Sequence, residues 1–141
     1  MLVLIQFFLS VQVNQDRVYK ELDLEMNRIF LTNHLEGTLQ YNFALDQENS
    51  TLGNNCTPVF INNQESLTYK ISEGGLILEK DLESINLTNR KARVQSMSCT
   101  TIVDAQNNIS AIKIDLQLTH RDNNRIIHNF GTLIKLTNYG N

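Results

Sequence analysis

Few residues in this 141-residue chain are of types that do chemistry, and their spacing limits what they could do. Cys56 and Cys99 are the only two cysteines. In a reducing compartment such residues stay free and buried, whereas in an exported chain they are able to close a bridge. That cross-link would add roughly 4 kcal/mol on chain-entropy grounds, and both readings stay open at this point. The three histidines, His34, His120 and His128, have no spacing that groups them with each other or with the cysteines as zinc ligands. Turn and surface positions are expected for them. No glycine-rich phosphate loop, nucleophile elbow or zinc-protease helix motif is present. Single carboxylates such as Asp115 fall on the polar side of an alternating segment, where solvation explains them. No catalytic, cofactor-binding or metal-ligating residue is therefore expected, and the chain does not read as an enzyme.

Charge narrows the partners. The formal net charge of -3 argues against nucleic-acid binding by bulk electrostatics. Arg90, Lys91 and Arg93, and separately Arg121, Arg125 and His128, are candidates for a local anion-binding patch. No aromatic residues for base stacking are interleaved with them, so solvated loops are the expectation. Four N-x-S/T sequons, at Asn49, Asn55, Asn86 and Asn108, are weak signals in a chain this rich in asparagine.

Any site must be positioned by the elements, and the first third dominates them. MLVLIQFFLSVQV is apolar on nearly every face: Leu2, Val3, Leu4, Ile5, Phe7, Phe8, Leu9, Val11 and Val13 are interrupted only by Gln6, Ser10 and Gln12. A helix hydrophobic all round must be covered by protein or by lipid. From Asn14 onward charges arrive, yet Val18, Leu22, Met26, Ile29 and Phe30, then Leu31, Leu35, Leu39 and Phe43, recur three or four apart. The spacing predicts one helix from Met1 to about Phe43, with residues 1–13 apolar and residues 14–45 amphipathic and turned to a core. At 1.5 Å per residue it reaches roughly 60 Å, about twice the diameter of a small domain. The first thirteen residues cover only about 20 Å of a hydrocarbon core near 30 Å thick. They lack the basic flank and cleavage site of a secretory signal. The expectation is that they are the distal part of a longer apolar segment, with an ordinary core helix buried in its own domain as the alternative.

Residues 46–141 read as strands. Asp46 to Asn55 is loop; Val59 to Ile61 is a short strand; Leu67, Tyr69 and Ile71 alternate with polar residues, and the alternation resumes at Leu76 and Leu78 beyond Gly74 and Gly75, a hairpin signal. Asp81 to Arg90 has no clear period. Ala92 to Val103 is a bulged strand. Ile112, Ile114, Leu116 and Leu118 face one way, with Ala111, Lys113, Asp115, Gln117 and Thr119 opposite, and after the turn His120 to Asn124 the set Ile126, Phe130, Ile134 and Leu136 completes a second hairpin. The class is α+β: a long N-terminal helix packed on a meandering antiparallel sheet of five or six strands.

This arrangement resembles the type IV pilin family, including the pseudopilins of type II secretion and related competence systems. The phrases NRIFLTNHLEGTLQ (Asn27 to Gln40), SLTYKISEGGLILEKDLE (Ser66 to Glu83) and AIKIDLQLT (Ala111 to Thr119) are most similar to the larger minor pilins and J- or W-type pseudopilins. The resemblance implies a structural filament subunit whose apolar helix half sits in the cell membrane before assembly. Afterwards it packs among equivalent helices of other pilin or pseudopilin subunits, at the cell surface, in the periplasm or in an extracellular filament. Leu2, Val3, Leu4, Ile5, Phe7, Phe8, Leu9 and Val11 would make that packing surface, Cys56 and Cys99 a possible disulfide, and nucleic acid is not an expected partner. The family's leader, ending in glycine and followed by phenylalanine and a nearby glutamate, has no counterpart here, so no residue takes the leader-cleavage, methylation or helix-glutamate roles. A membrane-anchored or exported β-rich module that binds a ligand or peptide is the alternative.

Overall fold

The computed structural model describes residues 2–137. Helix α1, Leu2–Leu39, runs unbroken for 38 residues. Gly37 does not interrupt it, since a single glycine costs a helix only about 1 kcal/mol. The helix stops four residues short of Phe43 because the next strand system captures the chain. Tyr41 adopts a left-handed conformation (φ 60°), and its N–H donates to the Lys135 carbonyl at 2.9 Å instead of continuing the helical ladder. Gln40 Oε1 accepts the Lys135 N–H at 3.1 Å, and the Lys135 ammonium lies 5.9 Å from the Tyr41 ring centroid. These contacts offset the strain of a non-glycine residue at positive φ.

The rest of the described chain forms nine strands: β1 Ala44–Leu45, β2 Gly53–Asn54, β3 Val59–Ile61, β4 Ser66–Ser72, β5 Gly75–Lys80, β6 Glu83–Asn86, β7 Ala92–Val103, β8 Ile109–His120 and β9 Ile127–Lys135. They make two antiparallel sheets, ordered β1-β3-β4-β5-β6 and β2-β7-β8-β9. The α+β expectation holds, with two sheets in place of one meander. The extra strands are the ones too short to show a period: β1 and β2 have two residues each, and β6 is exposed at all four positions. In the β4–β5 hairpin Ser72 pairs with Gly75, so the turn is Glu73–Gly74, both at positive φ, rather than Gly74–Gly75. The β7 bulge falls between Val94 and Ser96, where Gln95 Nε2 donates to Thr119 Oγ1 at 3.0 Å.

The second sheet supplies the floor on which the helix lies. Leu24, Leu31, Leu35 and Leu39 descend from α1 onto Val94, Met97, Ile112, Ile114, Leu116, Leu118 and Ile134, and all are buried in one core. The alternation expected for β8 is seen in Ile112, Ile114, Leu116 and Leu118. Ala111 and Thr119, expected on the polar side, are buried as well. The first sheet joins the same core through Phe60, Leu67, Tyr69, Leu76 and Leu78. Cys56 and Cys99 are bonded, with Cα atoms 5.8 Å apart, so the segment before β3 is tied to the middle of β7.

Candidate functional site, the two outward faces of the helix

Among the described residues only the C-terminal part of α1 is held by its own chain. Its buried positions are Leu24, Asn27, Leu31, Leu35 and Leu39, one row at helical spacing. Polar contacts flank that row. Asn27 Nδ2 donates to the Asp23 carbonyl at 2.8 Å, and its Oδ1 accepts the Asn89 N–H at 3.1 Å. Thr132 donates its hydroxyl to Glu36 Oε1 at 2.9 Å. Further along, His34 Nε2 lies 3.1 Å from the Tyr69 hydroxyl, and their rings meet edge to face at 5.9 Å, beside Phe60. Burial lowers the pKa of His34 and raises that of Tyr69, so both favour the neutral form.

Each of the three histidines makes a contact between the helix and a strand or turn, at separate places. His120, only 2% exposed, contacts Asp23 Oδ2 through Nε2 at 3.0 Å. Its Nδ1 accepts the Asp122 N–H at 3.1 Å, which places the proton of the neutral ring on Nε2, donated to Asp23. Both ring nitrogens are thus committed to holding the β8–β9 turn against the helix. Lys91 Nζ reaches the other Asp23 oxygen at 3.5 Å, and His128 Nδ1 lies 3.8 Å from Glu25 Oε2. Sequence reasoning missed the His120 and His128 contacts because they depend on the register of β8 and β9 beneath the helix. Among the described residues no group of three or more His, Cys, Asp or Glu is placed to hold a metal ion.

Among the described residues the N-terminal half has no such partner. Leu2, Val3, Leu4, Ile5, Phe7, Phe8, Leu9 and Val13 are all exposed, Phe8 by 63%, and Val11 is only partly covered. The residues expected to form the packing surface are therefore together on one projecting rod. The inner stripe expected from Val18 to Phe30 is a correction: Val18, Leu22, Met26, Ile29 and Phe30 are all exposed. The face that meets the sheet is instead the row through Leu24 and Leu31, on the other side of the helix. Both rows recur at three or four residues, so periodicity shows that each exists without saying which one the sheet covers. The outer row, joined by Tyr19, continues the apolar surface of the first thirteen residues toward the domain.

Between them lies a charged belt. Lys20 Nζ contacts Asp16 at 2.8 Å and Arg17 contacts Glu21 at 3.2 Å, both at i,i+4 spacing. Arg28 pairs with Glu25 at i,i+3 and holds the Glu25 carboxyl below its ordinary pKa. Pairs of this kind, open to water, support the helix only weakly. They also satisfy the charges along a rod that leaves its domain.

No helix of the described residues is long and apolar enough to cross a membrane. The register Ala92↔His120 and Arg93↔Thr119 brings the two basic segments of the sequence side by side. No protein-family model matches the chain, and no curated protein or solved structure matches it.

Proposed function

We propose that this chain is a structural subunit of a pilin-like filament, a minor pilin or pseudopilin of a type IV pilus, competence or type II secretion system. The observation that carries the reading is the apolar surface on α1 that the chain leaves uncovered, from Leu2 to Val13 on every side and along Val18, Leu22, Met26, Ile29 and Phe30 on one side. Contiguous apolar surface on this scale marks a protein or membrane contact. Each such side chain gains about 1.5–3 kcal/mol when fully buried. In this reading the rod lies in lipid before assembly and among equivalent helices of other subunits afterwards, while the two-sheet domain is displayed outside. The outer row extends that helix contact as far as Phe30.

A charge at Phe8 tests it, because burial of an unpaired carboxylate among apolar neighbours costs several kcal/mol. Phe8→Asp is expected to leave the circular dichroism and melting of the sheet domain unchanged and to abolish its recovery in sheared surface filaments or with partner subunits. Gln117→Lys, on the outer side of β8, is expected to assemble normally. Normal assembly of Phe8→Asp sinks the filament reading and favours a β-rich binding module. One feature of the chain suits that second reading: β6 is fully exposed and ends its sheet, an edge open to strand addition.

A further inference from the structure

The arginines of this chain are unevenly partnered. Of its twelve lysines and arginines, seven lie within 4.0 Å of a carboxylate, and Lys135 sits over an aromatic ring. Among the described residues Arg90, Arg93, Arg121 and Arg125 have no carboxylate within that distance. All four belong to the two segments that the β7–β8 register places side by side, where the start of β7 meets the β8–β9 turn.

Arg121 is held rigidly there. Its Nε donates to the Ala92 carbonyl at 3.2 Å and its Nη2 to the Glu73 carbonyl at 3.4 Å. Its own N–H donates to Lys91 at 2.9 Å. The turn it leans on contains Gly74, at φ 77°. A Cβ at Gly74 would lie 3.1 Å from Arg93 Nε and 3.5 Å from Arg121 Nη2, so the two guanidinium groups converge over a turn that only glycine leaves open. Like charges this close repel unless an anion joins them.

Open clefts of about 480 and 390 Å³ flank Arg121. The first is lined by Arg90, Asn86, Thr88 and Asn89, and the second by Arg93, Gln95, Asn123 and Asn124. Amide and hydroxyl groups beside a guanidinium make a site for an oxyanion. Glu73 borders one cleft and Asp122 the other, which disfavours a multiply charged phosphate in either. Among the described residues no Phe, Tyr or Trp lines either cleft, and the one imidazole, His120, is 2% exposed, so neither suits a stacked nucleobase. A carboxylate presents one charge and two coplanar oxygens to the guanidinium fork.

We propose that Arg121 is the shared wall of a two-lobed cleft that binds the carboxylate side chains of an acidic peptide segment on a partner protein, one beside Arg90 and one beside Arg93. The proposal is independent of the filament reading, since it uses no residue of the projecting helix.

The test is titration of the full chain in detergent micelles, followed by backbone amide NMR. Three probes are compared: a blocked Gly-Glu-Gly-Glu-Gly peptide, its Gly-Gln-Gly-Gln-Gly counterpart and inorganic phosphate. The acidic peptide is expected to give saturable shifts at Gly74, Arg93 and Arg121, the glutamine peptide none, and phosphate binding about tenfold weaker or less. The Arg93 side chain makes no hydrogen bond among the described residues, so Arg93→Gln is expected to keep the melting temperature while weakening the acidic peptide by about tenfold. Arg125→Gln removes the same charge outside both clefts and is expected to change binding by less than about twofold. Absence of saturable shifts overturns the proposal. So does an equal response to the glutamine peptide or tighter binding of phosphate, and so does equal weakening by the two arginine variants, which would mean bulk charge alone.

Discussion

Between Leu24 and Leu39 the helix buries Leu24, Leu31, Leu35 and Leu39 against β7, β8 and β9, while between Leu2 and Val13 it carries a denser set of apolar side chains and buries none of them fully. Both halves carry large apolar side chains. What differs is the sheet beneath, which ends under the second half. Apolar content alone therefore does not decide which part of a helix holds a domain together. The packed row also has polar fixings, Asn27 to Asn89, Asp23 to His120 and Glu36 to Thr132, that set the helix in one position on the sheet. The first half has no hydrogen bond to the sheets among the described residues, and its apolar side chains stay exposed.

The largest effect should appear when equivalent truncations are placed in the two halves. Leu35→Ala removes a side chain only 1% exposed and should cost about 2–5 kcal/mol of unfolding free energy, as truncation of a buried leucine does. Leu4→Ala, at a position 60% exposed, should change it by less than about 0.5 kcal/mol. Equilibrium unfolding of the two variants measures the contrast. Equal losses would break the division of the helix into an anchor and a projecting rod.

A smaller effect separates the polar fixings from helix propensity. Asn27→Ala should improve the local helix propensity, because alanine is the better helix former. It also removes the acceptor of the Asn89 N–H, and since Asn89 is exposed the loss is the net value of a hydrogen bond, about 0.5–1.5 kcal/mol. Net destabilisation is the expected outcome. Asn14→Ala, in the exposed half, should be neutral or slightly stabilising. If Asn27→Ala were also stabilising, the asparagine would be a tolerated polar residue and not a fixing.

Much of this was legible in the sequence, and the misses have physical causes. The long helix, the hairpin after Ser72 and the alternation in β8 each extend over enough residues for a period to emerge. Strands β1 and β2 are too short for that. Strand β6 forms by pairing with β5 and buries no side chain that a pattern could show. The assignment of Val18, Leu22, Met26, Ile29 and Phe30 to the inner face failed because the helix has two apolar rows at the same spacing. Leu31, Leu35, Leu39 and Phe43 are buried as expected, and the row they belong to was lost toward the N-terminus because Asn27 interrupts its apolar pattern. The apolar rod itself was visible at once. The convergence of Arg93 and Arg121 over Gly74 was not, since it requires the strand register and the turn together.

The smallest predicted effect is the dependence of the anchor on pH. From Leu2 to Gln15 the helix carries no titratable side chain, so acidification from neutral pH leaves that part of the rod electrically unchanged. The anchored half holds His34 half-buried between Phe30 and Tyr69, and burial lowers its pKa below the ordinary value of 6.5. In the window between that lowered value and 6.5 the unfolded chain binds more protons at this residue than the folded one does. Stability therefore rises with pH across the window. The contribution is complete above 6.5 and is lost as pH falls through the folded value. Comparison of the native chain with His34→Gln, which keeps a polar group near the Tyr69 hydroxyl, isolates the contribution of this residue from that of the rest of the chain. Between about pH 7.5 and about pH 5.5 the native chain should lose more of its melting temperature than His34→Gln does. Parallel losses in the two proteins would show that His34 titrates as freely in the folded chain as in the unfolded one, and that its contact with Tyr69 lies open to water.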